Sequence, residues 1–135
     1  MEEIKNLNQL IGEMAPKLNP GKYVFTTTQH PDLIDPNVII CSFKEGKETS
    51  IILEKRKADE LSLNYNYISA WITLTVNSSL HAVGLTAAFS SALAENNISC
   101  NVVAGFYHDH IFVDYEDSDK AMRVLKNLSK SSKNR

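Results

Sequence analysis

The sequence predicts an α+β fold: a ferredoxin-like βαββα unit over residues 67–129, preceded by a second, degenerate unit over residues 1–66. Sheets are expected to be largely antiparallel, with helices on one face. Three observations predict this. Ile68, Ala70, Ile72, Leu74 and Val76 alternate with Ser69, Trp71, Thr73 and Thr75, the period of a strand with one buried face. Ala82, Leu85, Phe89, Ala92 and Leu93 then recur at helical spacing. Finally, the hairpin pattern of the second half has a weak echo 60 residues earlier, where Ile51-Ile52-Leu53 stands for Ile111-Phe112-Val113 and Glu54 for Asp114.

Each element has its own warrant. Ile4, Leu7, Leu10, Ile11 and Met14 suit a helix that Pro16 stops, and Asn19-Pro20-Gly21 signals a turn. Tyr23 to Thr28 is rich in aromatic and β-branched residues, as strands are. His30-Pro31 and Asp35-Pro36 bracket a loop. Val38 to Phe43 and Ser50 to Leu53 form a hairpin around Gly46, and Lys55 to Leu63 carries a weak helical pattern. In the second half, Asn96-Asn97 ends the long helix, because Asn tolerates the left-handed conformation. Ile98, Cys100, Val102 and Ala104 alternate as a strand, and Ile111, Val113 and Tyr115 alternate on the strand that returns. Ser118 is placed to cap a last helix burying Ala121, Val124, Leu125 and Leu128. Residues 130–135 read as a flexible tail. The repeat fails at Lys22 to Asp35, where the first half has no helical pattern, so the first unit is degenerate or rearranged.

Composition narrows the function classes. The 135 residues carry a net charge of −2, so nothing points to nucleic acid or to an acidic membrane surface. No apolar run approaches the roughly 20 residues that span a bilayer, and Met1-Glu2-Glu3 is acidic where a signal peptide is basic. Cys41 and Cys100 sit in apolar stretches, as buried thiols do in a reducing cytoplasm.

The residues that carry chemistry cluster late in the chain. Asn77-Ser78-Ser79 precedes a helix whose free amides and dipole attract anions, and Gly84 lets backbone approach a ligand closely. Plain capping by Ser78 or Ser79, and plain packing by Gly84, are the structural alternatives. Asn101 faces away from its strand's apolar side and suits either an ammonium group or solvent. His108 and His110 stand two apart and can be read as a metal pair with His81 or His30, or as turn and pocket-edge histidines. No further His or Cys cluster supports the metal reading, and neither metal nor cofactor is expected. The sequence lacks a Gly-x-Ser-x-Gly elbow, a P-loop and a dinucleotide fingerprint, which argues against an enzyme. Trp71 points off the apolar face of its strand, toward an interface or a second covering layer.

The stretch GLTAAFSSALAENNISCNVV, Gly84 to Val103, resembles the core of the ACT domain family. PGKYVFTTT and GKETSIILEKRKA extend the likeness to small stand-alone bacterial ACT proteins of unassigned function. Aspartate kinase regulatory domains and the animal cytosolic arginine sensor are similar more distantly. The resemblance implies two ACT-like halves, non-catalytic binding of a small molecule such as an amino acid, and side-by-side pairing into a homodimer or larger even assembly. It places the ligand against Asn77, Ser78, Ser79, Leu80, Val83 and Gly84, with Asn101, Val102 and Val103 from the next strand and His108 and His110 nearby. One departure is the long loop before Gly84, which leaves the helix start anywhere from Ser79 to Gly84. An oligomerisation module without a ligand is the alternative, and a metal protein ranks after it.

Overall fold

The computed structural model describes residues 6–76 and 80–133. Helix α1 (Leu7–Glu13) begins at Asn6, whose side chain accepts a hydrogen bond from the Gln9 amide. Strand β1 (Ala15–Thr28) follows directly. Two 3-10 turns lead into the hairpin of β2 (Ile39–Glu45) and β3 (Glu48–Glu54), and α2 (Lys55–Glu60) closes the first half. The second half runs β4 (Ile68–Thr75), α3 (Leu85–Glu95), β5 (Asn101–Ala104), β6 (Asp109–Asp114) and α4 (Ser118–Lys133). The strands form one sheet, ordered β2-β3-β1-β4-β6-β5, and every neighbouring pair is antiparallel.

That order is nearly a palindrome about β1 and β4. Tyr23 pairs with Glu54 and Phe25 with Ile52, just as Ser69 pairs with Asp114 and Trp71 with Phe112. Each unit takes the other's first strand as its own fourth. Ala15 to Asn19 of β1 extend the second unit along β4, while Ile68 of β4 meets Val24 in the first. The equivalent positions also explain the broken repeat. Corresponding residues lie 46 apart in the first strands and 60 apart in the hairpins. The difference falls where the second unit has α3 and the first has only the turns Pro31–Leu33 and Pro36–Val38.

Three local expectations are corrected. Asn19-Pro20-Gly21 does not separate helix from strand; it is a bulge inside β1, where the register against β4 shifts between Asn19 and Tyr23. Residues 15–19 pair with β4 alone, so Pro16 sits in a strand without leaving a broken ladder on a second side. Ser118 is not a cap in extended conformation but already helical (φ −51°, ψ −55°), following a 3-10 turn whose Glu116 amide is held by the Asp114 carboxylate at 3.0 Å. Helix α4 also continues to Lys133, past residue 129.

All four helices serve one face of the sheet. Leu10, Leu85, Phe89, Leu93 and Leu125 pack on Ile72, Leu74, Ile111 and Val113, while Ala58 of α2 packs with Val24, Ile51 and Leu53. The other face carries Tyr23, Phe25, Ile52, Trp71 and Phe112. Among the described residues no helix covers it, yet Phe112 is only 1% exposed. A flat sheet would hold β2 and β5 about 24 Å apart, five spacings of about 4.8 Å. Instead Ile40 and Cys41 of β2 line one cavity with Val103 and Ala104 of β5. The sheet curls on itself, and that curl, rather than a second layer or an open interface, shelters Trp71.

Shared strands make the two units one folding body. The full chain is expected to unfold in a single urea transition, coincident by circular dichroism and by fluorescence of Trp71, the chain's single tryptophan. A fragment of residues 67–135, deprived of β1, should show no cooperative transition. A fragment that unfolds at the parent's midpoint would show that β1 is dispensable.

Candidate functional site

A small crevice of about 100 Å³ lies where the loop before α3 meets the turn between β5 and β6. Leu80, Ala82, Leu85 and Thr86 form one wall; Gly105, Tyr107, His108 and Asp109 form the other. The first wall follows from a helix start without a capping side chain. Gly84 occupies the N-cap in left-handed conformation (φ 97°), and the first intrahelical bond runs from the Ala88 amide to its carbonyl. The amides of Leu85, Thr86 and Ala87 therefore have no acceptor within the helix, which favours an anion there. The second wall is polar and partly desolvated. His108 Nδ1 is buried with no hydrogen-bond partner among the described residues. Burial pushes the Asp109 carboxyl above its ordinary 3.8, while the neighbouring His110 pulls the other way.

The residues singled out in the sequence divide among several places. Asn77, Ser78 and Ser79 lie outside the described residues. Leu80 and His108 line the crevice, and Gly84 and Val83 stand beside it, Val83 being 88% exposed. Asn101 lies on β5 and reaches the Phe112 carbonyl at 3.4 Å, with Val102 partly exposed next to it. Val103 and His110 line the cavity under the curled sheet, on the opposite side. His108 precedes β6 and His110 lies within it, so the two do not share a strand face. Among the described residues, no three His, Cys, Asp or Glu side chains converge as a metal site requires. Thr86 and Asp109 were missed by sequence reasoning. Asp109 sits between two conspicuous histidines, and only the hairpin register turns it toward α3.

Gly84 also has a structural duty. An added Cβ would lie 3.0 Å from Leu7 Cδ2, and its backbone angle disfavours any side chain. A side chain at 84 therefore bears on folding as well as on any ligand contact. Gly84→Ala is expected to lower stability by about 1–2 kcal/mol in urea titration; an unchanged midpoint would contradict the strained geometry.

His110 is held in a defined state. Its Nδ1 accepts from Trp71 Nε1 at 3.0 Å and lies 3.2 Å from Thr73 Oγ1. Thr73 Oγ1 accepts from Asn19 Nδ2 at 2.9 Å, which leaves its own proton for His110. Burial, the larger cause, and the charge of His108 hold the imidazole below its ordinary 6.5. Because the folded-state value is depressed, the unfolded chain takes up the proton first as pH falls. The stability contributed by neutral His110 is complete only well above about pH 6.5 and declines as pH falls through that value. Urea midpoints should drop between about pH 7.5 and about pH 5.5, and His110→Leu should flatten that slope.

Comparison with known proteins agrees with this architecture. Two ACT domain family models match, one over residues 3–70 and one over residues 67–127. No curated protein matches. A protein of unknown function from Vibrio cholerae, described as a possible transport protein, is 41% identical; the match covers 91% of this chain and 95% of that one, with a TM-score of 0.80. An Agrobacterium tumefaciens protein shares the fold at 18% identity over 87% of this chain and 90% of its own, TM-score 0.71. The regulatory subunit of aspartate kinase from Thermus thermophilus, in its ligand-free form, does so at 10% identity over 84% and 95%, TM-score 0.60. With two interlocked units, each matched by its own family model, the chain belongs to the ACT domain family of regulatory ligand-binding modules.

Proposed function

We propose that this chain is a non-catalytic sensor of a small amino acid, bound in the crevice between the start of α3 and the β5–β6 turn. The observation that carries the reading is the opposition of two charges across that crevice. Unpaired amides at the start of α3 suit a carboxylate, and Asp109 on the facing wall suits an ammonium group. A zwitterion satisfies both at once, and the crevice of about 100 Å³ favours a small side chain. Asn77, Ser78 and Ser79 remain part of the proposal as ligand contacts. Asn101, Val102, Val103 and His110 belong to its surroundings rather than to its walls.

The rim supports a second element of the proposal, a homodimer or larger even assembly in the cytoplasm. Leu80, Val83, Phe106 and Tyr107 are 70%, 88%, 81% and 76% exposed, and Leu80 and Tyr107 also line the crevice. Such a concentration of exposed apolar side chains suits burial against a second copy. Ligand binding beside that rim would then bias association. Among the described residues no helix is long and apolar enough to cross a membrane.

A thermal-shift screen of the common amino acids tests the ligand. One of them, at 100 times its dissociation constant, should add about 2.7 kcal/mol of stability. Asp109→Asn should remove that shift while leaving the unliganded melting point near the parent's. No response to any amino acid would sink the reading. For the assembly, sedimentation at micromolar concentration should show a dimer or larger even species that Val83→Asp and Phe106→Asp together dissociate; a strict monomer is the contrary result.

A further inference from the structure

The cavity beneath the curled sheet is a separate feature, on the face away from the helices. It encloses about 420 Å³, within the range of small-molecule sites. Trp71 and Phe112 form its floor, stacked with centroids 6.1 Å apart and planes 20° from parallel. Ile40 and Cys41 close one side and Val103 the other. Among the described residues, no Asp, Glu, Lys or Arg lines it.

Its one strong polar group is His110, whose role the surrounding bonds determine. Trp71 Nε1–H is a donor only. With Trp71 and Thr73 both directed at Nδ1, the imidazole proton must reside on Nε2. Nε2 lies beside Gly105, where an added Cβ would come within 3.2 Å of it and 2.8 Å of the His108 carbonyl. Gly105 is thus the residue that keeps the turn close while leaving Nε2 open. No acceptor is bonded to Nε2 among the described residues. The outcome is an imidazole N–H donor without a protein acceptor among the described residues, beside the aromatic floor of the cavity.

We infer that this cavity is a second ligand site, for a small uncharged molecule with an aromatic ring and one carbonyl or hydroxyl oxygen, the ring on Trp71 and Phe112 and the oxygen accepting from His110 Nε2. A carboxylate is disfavoured for a specific reason. It would draw a proton onto His110, and Nδ1–H would then face the Trp71 N–H, donor against donor. The inference stands independently of the crevice at α3.

The full chain has one tryptophan, so its indole proton–nitrogen NMR cross-peak reports on this cavity alone. Acetophenone, ethylbenzene and benzoate are similar in size and differ in the acceptor. Acetophenone at millimolar concentration should shift the indole peak saturably, ethylbenzene should bind roughly fivefold more weakly for want of one hydrogen bond, and benzoate should not saturate. In His110→Leu the advantage of acetophenone over ethylbenzene should disappear. If that variant does not fold, Cys41→Phe, at the edge strand, should narrow the cavity and abolish the acetophenone shift. Equal binding of benzoate, no saturable shift, an advantage that survives His110→Leu, or a peak that moves only with protein concentration as a second copy enters the cavity would each overturn the inference.

Discussion

The antiparallel pairing of β1 with β4 is the contact on which the rest of the molecule depends. Neither unit owns four strands. Ala15 to Asn19 complete the second unit, and the start of β4 completes the first. The bulge between Asn19 and Tyr23 makes this sharing feasible, because it lets one strand run along β4 and then along β3. Side chains reinforce the junction. Asn19 Nδ2 reaches Thr73 Oγ1 at 2.9 Å and the Trp71 carbonyl at 3.2 Å, and the buried Ser69 hydroxyl donates to the Tyr23 carbonyl at 2.8 Å.

From that junction the sheet curls, and aromatic contacts across it hold the curvature. Tyr23 meets Trp71 edge-on at 5.3 Å, and Phe25 of the first unit meets Phe112 of the second in the same manner and at the same distance. Each such pair contributes about 0.5–1.5 kcal/mol beyond simple burial. The helices bury the opposite face, so the sheet has two cores of different character. One is mainly aliphatic, with Phe89 its buried aromatic ring. The other is aromatic and retains a cavity.

The β5–β6 hairpin connects both candidate sites because successive residues there point to different sides. His108 and Asp109 look toward α3, and His110 looks under the sheet. The first unit offers no equivalent pair. Its counterpart of α3 is reduced to 3-10 turns, so no helix start faces the β2–β3 turn, and the position matching His110 is Ser50, paired with Thr27 as His110 is with Thr73. The first unit nonetheless contributes Ile40 and Cys41 to the cavity under the sheet. Cys100 is pushed up to about 11 by burial and remains protonated, and neither cysteine is bridged.

The sequence by itself determined the second unit closely. Alternation from Ile68 to Val76, the helical spacing through Leu93 and the returning strand to Val113 are local periodicities, and local periodicity follows from which side of one element meets the core. It also announced the repeat of the hairpins. It did not announce that Asn19-Pro20-Gly21 interrupts a strand rather than ending one, because proline and glycine carry the same local signature in a bulge and in a turn. Nor did it separate His108 from His110, or bring Asp109 opposite the Thr86 amide. Those depend on where β6 begins and on the register that pairs it with β4 and β5 and brings the turn to the start of α3. The pairing with β4 joins residues dozens of positions apart, and no short window of sequence contains both partners.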